Sequence, residues 1–184
     1  MSPYMRLLSA MIFLVASMPT PIWAEATAVA TPTFEQYSVP RQKGAKTVPP
    51  DLGSHPLAKK FRSALRDGAK KGPNFAGHYA LVSWGCGTAC LRFAFVDTAS
   101  GKVYFPERIE SVSAAMPAGE DDPRSLLRFR RDSRLLEIDG IVGEVAGRLY
   151  FLMEEGELHP LCLIAKGGHA CRELPLDATS AAGR

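Results

Sequence analysis

The sequence predicts a mainly β, α+β domain: an antiparallel meander of about seven short strands behind one N-terminal helix, stapled by two disulfides. Three observations carry this. From residue 77 onward, apolar residues recur at period two in short runs. Turn-forming residues separate those runs. Four cysteines fall in two tight pairs, Cys86 with Cys90 and Cys162 with Cys171.

Residues 1–24 read as a signal peptide. Arg6 supplies the charge, residues 7–18 form an uncharged apolar run, Pro19-Thr20-Pro21 breaks it, and Ala24 offers a small cleavage residue. Ala28 and Ala30 are alternative cleavage points. The twelve-residue run is shorter than the roughly 20 residues that span a bilayer, so a membrane-spanning anchor is not expected. No cysteine follows the run until Cys86, so no lipid-anchored amino terminus is expected either. Periplasmic or secreted localisation is the consequence. Cleavage after Ala24 leaves 160 of 184 residues, with 21 basic against 19 acidic side chains. That is one ordinary domain, and its charge is too mild to argue for a nucleic-acid partner.

Residues 25–50 mix Ala, Thr, Pro and Lys, and read as a flexible lead that lays Phe34 and Tyr37 on a domain spanning 51–176. Ser54-His55-Pro56 suggests a helix start, with a capping side chain and a proline in the first turn. Leu57, Phe61, Ala64 and Leu65 follow at helical spacing, and Gly68 suggests the stop. The other helix face carries Lys59, Lys60, Arg62 and Arg66. Such a face is ordinarily solvated, or else contacts an anionic partner.

Strands are expected over 77–84, 90–97, 102–105, 126–130, 135–141, 148–154 and 158–165, with a polar connection at 106–124. In the first, His78, Ala80, Val82 and Trp84 oppose Tyr79, Leu81 and Ser83. In the second, Leu91, Phe93 and Phe95 oppose Arg92, Ala94 and Val96. The result is an open, twisted sheet, or two small packed sheets, with the helix over one face. Residues 177–184 read as a disordered tail.

Four cysteines in an exported chain read as two disulfides, and sequence leaves three connectivities open. Local pairing is favoured, because each pair brackets a glycine-rich, turn-like segment. On the chain-entropy model each such loop contributes roughly 2–3 kcal/mol.

The most distinctive stretch is Asn74-Phe75-Ala76-Gly77-His78-Tyr79, followed by Trp84-Gly85-Cys86-Gly87-Thr88-Ala89-Cys90. It resembles a family of exported Gram-negative bacterial proteins that share an FAGHY segment followed by WGCGTxC. The similarity extends through the turn after Asp97 and the FRRDSRLL turn. The resemblance implies export and fold, and brings no activity with it.

Read from the residues, the WGCGTAC loop is first a structural one: a disulfide across a hairpin tip, with glycines for the tight turn and Trp84 beneath. A metal reading uses Cys86 and Cys90 as soft thiolates for Cu(I), with His78 or His169 as third ligand. The hairpin context and an oxidising compartment oppose it. Haem attachment needs histidine where Leu91 stands. A catalytic reading pairs Cys86 or Cys90 with His78 as nucleophile and base, but no third orienting group is visible. G-x-S-x-G, H-E-x-x-H and phosphate-loop motifs are absent.

The reading carried forward is an exported, non-catalytic binding or accessory protein of the bacterial envelope, inhibitor- or immunity-like in kind. It is expected to be monomeric, to need no cofactor or metal, and to have a protein or envelope component as partner. His78, Trp84, Thr88 and Arg92 are the candidate binding residues. The alternatives are a redox or copper-handling protein using Cys86 and Cys90, and an envelope hydrolase that uses His78.

Overall fold

The structure, a computed structural model, describes residues 30–41, 47–114 and 126–174. The expected signal segment and the tail at 177–184 lie outside the described residues. In chain order the elements are helix α1 (Arg62–Ala69) and strands β1 (Tyr79–Gly87), β2 (Cys90–Asp97), β3 (Val103–Tyr104), β4 (Val112–Ser113), β5 (Leu127–Phe129), β6 (Leu135–Val142), β7 (Val145–Glu154) and β8 (Glu157–Ala165). All pair antiparallel in one sheet of order β1-β2-β4-β6-β7-β8, with β3 also beside β2 and β5 beside β6. The mainly β architecture is therefore as expected. It is a single sheet rather than two.

Period two explains its layers. Leu81 faces Phe95 and Gly85 faces Leu91 across β1–β2, while Leu136 faces Phe151 and Ile138 faces Leu149 across β6–β7. Apart from the exposed Gly85, these residues share one buried cluster, so the sheet curls until its two halves enclose a common interior. On the opposite face of β1–β2, Ala80, Val82, Ala94 and Val96 pack under Leu65 and Ala69 of α1. On the opposite face of β6–β8, Leu135, Tyr150, Cys162 and Cys171 form a third cluster, with Phe34 and Tyr37 against it. Glu137 is buried on that face, and its carboxylate is met by Arg128 at 3.2 Å and Arg148 at 3.0 Å. A buried charge needs such partners.

The lead does lay Phe34 and Tyr37 on the domain. Val39 N–H donates to Asp132 O at 2.9 Å and Arg134 N–H to Tyr37 O at 2.9 Å. Arg130 reaches Glu35 at 2.5 Å and Arg41 reaches Asp132 at 2.7 Å. Hydrogen bonds from Arg41 and Arg130 hold the Asp132 carboxyl below its ordinary range.

Five local expectations change. The helix begins at Arg62, not Ser54. Ser54 Oγ donates to Asp51 O at 2.6 Å and accepts Val103 N–H at 2.9 Å, so the expected cap instead ties a loop to β3. Leu57, expected on the buried face, is 43% exposed. Gly68 does not stop the helix, which continues to Ala69. Strand β4 falls within the stretch read as a polar connection, and β7 starts at Val145 rather than Arg148.

The helical glycine has a packing reason. A Cβ built on Gly68 would lie 2.5 Å from both methyls of Val82. Gly68→Ala gains helix propensity of about 1 kcal/mol but forces helix and strand apart. We expect net destabilisation of about 1–2 kcal/mol, as for other overpacked cores. Val82→Ala in the same chain should recover part of it, and a denaturant double-mutant cycle reads the coupling.

Candidate functional site

The β1–β2 hairpin ends in the WGCGTAC loop. Gly87 pairs with Cys90 after a bulge beyond Gly85. The turn uses positive φ at Gly87 (145°) and Ala89 (53°). Cys86 bonds Cys90 across a Cα–Cα distance of 5.2 Å, and Cys162 bonds Cys171 across 5.6 Å. The pairing is thus local, and no described cysteine is free. In this state neither Cys86 nor Cys90 has a thiolate for a metal or for nucleophilic attack. Among the described residues no group of three or more His, Cys, Asp or Glu side chains could hold a metal ion. Residues 85–88 are exposed, and Thr88 lies in the turn that closes the tip.

A groove opens beneath the tip, on the helix-covered face. Trp84 and Arg92 are cross-strand partners. The Trp84 ring lies 4.6 Å from Phe61 and 6.2 Å from Phe105, and His55 stacks on Phe105 at 4.5 Å. Lys60, Glu107 and Glu110 complete a cavity of about 490 Å³. Arg92 Nη2 donates to Glu110 Oε1. Trp84 Nε1 and Arg92 Nε, however, are buried donors with no hydrogen-bond partner among the described residues. Unpaired buried donors are costly, and the two residues that carry them both line this groove.

His78 is elsewhere. It precedes β1 at the end far from the tip, six residues from Trp84, or roughly 20 Å at strand rise. There it borders a larger cavity of about 1030 Å³, together with Arg41, Tyr79, Arg134, Glu154 and His159. Arg134 is paired to Glu154 at 3.1 Å. His78 Nε2 lies 3.9 Å from Asp97 Oδ1. That carboxylate already accepts Ala99 N–H at 2.8 Å and Ser100 Oγ–H at 2.6 Å. Burial pushes the Asp97 carboxyl up. The bonds from Ser100 and Ala99 and the nearby His78 outweigh it, and the net direction is down. Asp97 is therefore a turn residue first. Ala76 (φ 45°) and Glu155 (φ 50°), both non-glycine, also border this cavity, and such backbone persists only where surrounding structure holds it.

The four candidate residues do not form one site. Trp84 and Arg92 share the groove, Thr88 is at the tip, and His78 belongs to another cavity. Phe61, Phe105 and Glu110, which build the groove, come from separate segments with no motif among them. The FAGHY and FRRDSRLL segments do meet: Ala76 N–H donates to Ser133 O at 3.2 Å and Gly77 N–H to Arg131 O at 2.6 Å. No family model, no curated protein and no solved structure matches this chain.

Two outcomes are expected. Burial, then the neighbouring Tyr104, Asp97 and Glu155, push the Tyr79 hydroxyl up to about 12. The folded state thus favours neutral Tyr79; this contribution is complete below about pH 10 and is lost as pH rises to about 12. Tyr79→Phe should flatten the stability–pH curve across that window, as read by urea unfolding. Under limiting reductant, Cys86–Cys90 should open before Cys162–Cys171, whose residues are 0% exposed. Timed alkylation with mass spectrometry reads the order, and equal rates would contradict it.

Proposed function

We propose that this chain is an exported, non-catalytic binding protein of the bacterial envelope, inhibitor- or immunity-like in kind, that grips its partner with the Trp84–Arg92 groove and the cystine-closed tip. The observation that carries the reading is an aromatic-walled groove lined by Trp84 and Arg92 beside the cystine-closed tip. Tryptophan and arginine in desolvated pockets are the residues that most often dominate binding energy.

Two features support export: the charged-then-apolar start with its small cleavage residue, and two disulfides, which persist in oxidising compartments. Among the described residues no helix is long and apolar enough to cross a membrane. A cysteine-based redox or copper reading would need Cys86 and Cys90 in the reduced form. A hydrolase reading would rest on His78, whose nearest carboxylate is already engaged in a turn.

The test is photo-crosslinking in cells that make the protein. A benzophenone side chain at Thr88 is compared with one at Ala99, exposed in the β2–β3 turn at the other end of the hairpin. A discrete adduct is expected from position 88 only. Arg92→Ala should weaken the captured complex by about tenfold or more, the scale of a hot-spot truncation. Identical adducts from both positions, or indifference to Arg92→Ala, would defeat the reading.

A further inference from the structure

We propose that the outer edge of β1, over residues 83–87, is a strand-addition site for an extended, acidic segment of a partner protein. This surface is distinct from the Trp84–Arg92 groove and goes beyond the function proposed above.

The register defines the edge. At Tyr79 the backbone polar groups turn away from β2: its N–H donates to Phe75 O at 2.9 Å, and its C=O accepts the N–H groups of Asn74 and Phe75, both at 2.9 Å. Antiparallel pairing repeats this orientation at every second residue, hence at Leu81, Ser83 and Gly85. At Leu81 the outward pair is met by a side-chain amide. Asn74 Nδ2 donates to Leu81 O at 3.0 Å, and Leu81 N–H donates to Asn74 Oδ1 at 2.7 Å. One amide thus already stands where the next strand's peptide group would be. At Ser83 and Gly85 no strand or side chain continues the ladder among the described residues.

The space beside that edge suits a strand. Ser83, Gly85, Cys86 and Gly87 are exposed, and a Cβ on Gly85 or Gly87 would meet nothing within 4 Å. A groove of about 400 Å³ runs along the start of the edge, between α1 and β5, with Leu81, Leu127 and Phe129 as apolar wall and Asp67 and Lys71 as its charged lining. Sheets ordinarily cover or blunt such edges. The opposite edge strand, β8, shows this: Leu163 exchanges hydrogen bonds with Arg172 at 2.8 and 2.9 Å. Among the described residues, the β1 edge is met by the 74–75 backbone at Tyr79 and by the Asn74 amide at Leu81, with nothing continuing the ladder at Ser83 and Gly85.

Charge selects the occupant. Residues 59–71 carry six exposed basic side chains, Lys59, Lys60, Arg62, Arg66, Lys70 and Lys71, against one acid, Asp67. Asp67 is matched to Lys70 at 3.5 Å. A second copy of this chain, pairing edge to edge, would bring a like-charged helix alongside. An acidic strand brings attraction in its place. Main-chain hydrogen bonds would supply affinity, and alternate side chains would reach the apolar wall.

The experiment selects displayed short random peptides on the full chain with its disulfides intact. Enriched peptides are expected to be rich in Asp and Glu, to alternate with apolar residues and to lack central proline. In hydrogen exchange they should protect the Ser83 and Gly85 amides. Gly85→Pro deletes an outward N–H that plays no part in the β1–β2 ladder, a position where edge strands tolerate proline. It should weaken binding by roughly tenfold, with the β1–β2 amides and the Cys86–Cys90 bond retained as the fold check. Arg66→Glu with Lys71→Glu leaves β1 untouched and should reverse the charge preference. The proposal is overturned if no peptide is enriched, or if binding survives Gly85→Pro in the folded protein. It is equally overturned if protection maps to β8, or if wild-type protein dimerises through Ser83 and Gly85. Binding lost in Arg92→Ala but kept in Gly85→Pro would assign the peptides to the groove instead, overturning the edge while leaving the proposed function standing.

Discussion

The union of the two hairpin systems through β4 is the constraint on which the rest of the structure depends. Val112 and Ser113 pair with Leu91 and Cys90 of β2 on one side, and Ser113 pairs with Ile141 of β6 on the other. That short bridge converts β1–β2 and β6–β8 into one sheet, and it is why Phe93 and Phe95 can share an interior with Leu136 and Phe151. The approach is close enough to dictate sequence. A Cβ on Gly140 would lie 2.6 Å from Ser113 O, so a side chain there would push β4 off β6. Val112 itself is fully buried, which gives a two-residue strand an apolar anchor as well as ladder bonds.

Once the interior is closed, each half must cover its own outer face, and the two covers differ. Helix α1 serves β1–β2. The lead at 30–41 serves β6–β8, together with the Cys162–Cys171 bond in the third cluster. The FAGHY segment is where these parts are tied. Phe75 is fully buried and stacks on Phe95 at 5.6 Å. Ala76 and Gly77 bond the turn before β6, and Gly77 lies against Pro40 of the lead, whose carbonyl oxygen would be 3.0 Å from an added Cβ. The His78 carbonyl accepts both the Thr98 hydroxyl at 2.6 Å and the Thr98 N–H at 3.1 Å. Main-chain bonds thus account for this motif without requiring catalysis from the imidazole.

The strands were legible because burial imposes period two. Leu81, Phe93 and Phe95 face one way and Ala80, Val82 and Val96 the other, as their alternation says. Local disulfide pairing was favoured by the glycine-rich segment each cysteine pair brackets, and the structure has it. What sequence could not carry was competition for a single side chain. Ser54 has the chemistry of a cap, but the fold spends its hydroxyl on Asp51 and Val103. Strand β4 is too short to show a period. The groove was half legible: Trp84 stood out, but Phe61, Phe105 and Glu110 reach it only through tertiary packing. His78 and Trp84 sit close in sequence, yet an extended strand sends them to opposite ends of the hairpin.

The Cys86–Cys90 bond suits the binding role proposed above. It closes only a short loop, so on the chain-entropy model it contributes roughly 2 kcal/mol to folding, and the tip it closes packs little else, because residues 85–88 are exposed. Its other effect falls on the tip itself. Gly85 and Gly87 would leave an open hairpin end conformationally free, and ordering that end on contact would cost affinity. The cystine removes that freedom beforehand. It closes the turn that carries Thr88, next to Trp84 and the end of β1. An exposed tip stiffened in this way, beside an aromatic groove and the open end of a strand edge, would be pre-organised for contact at both of the surfaces proposed above.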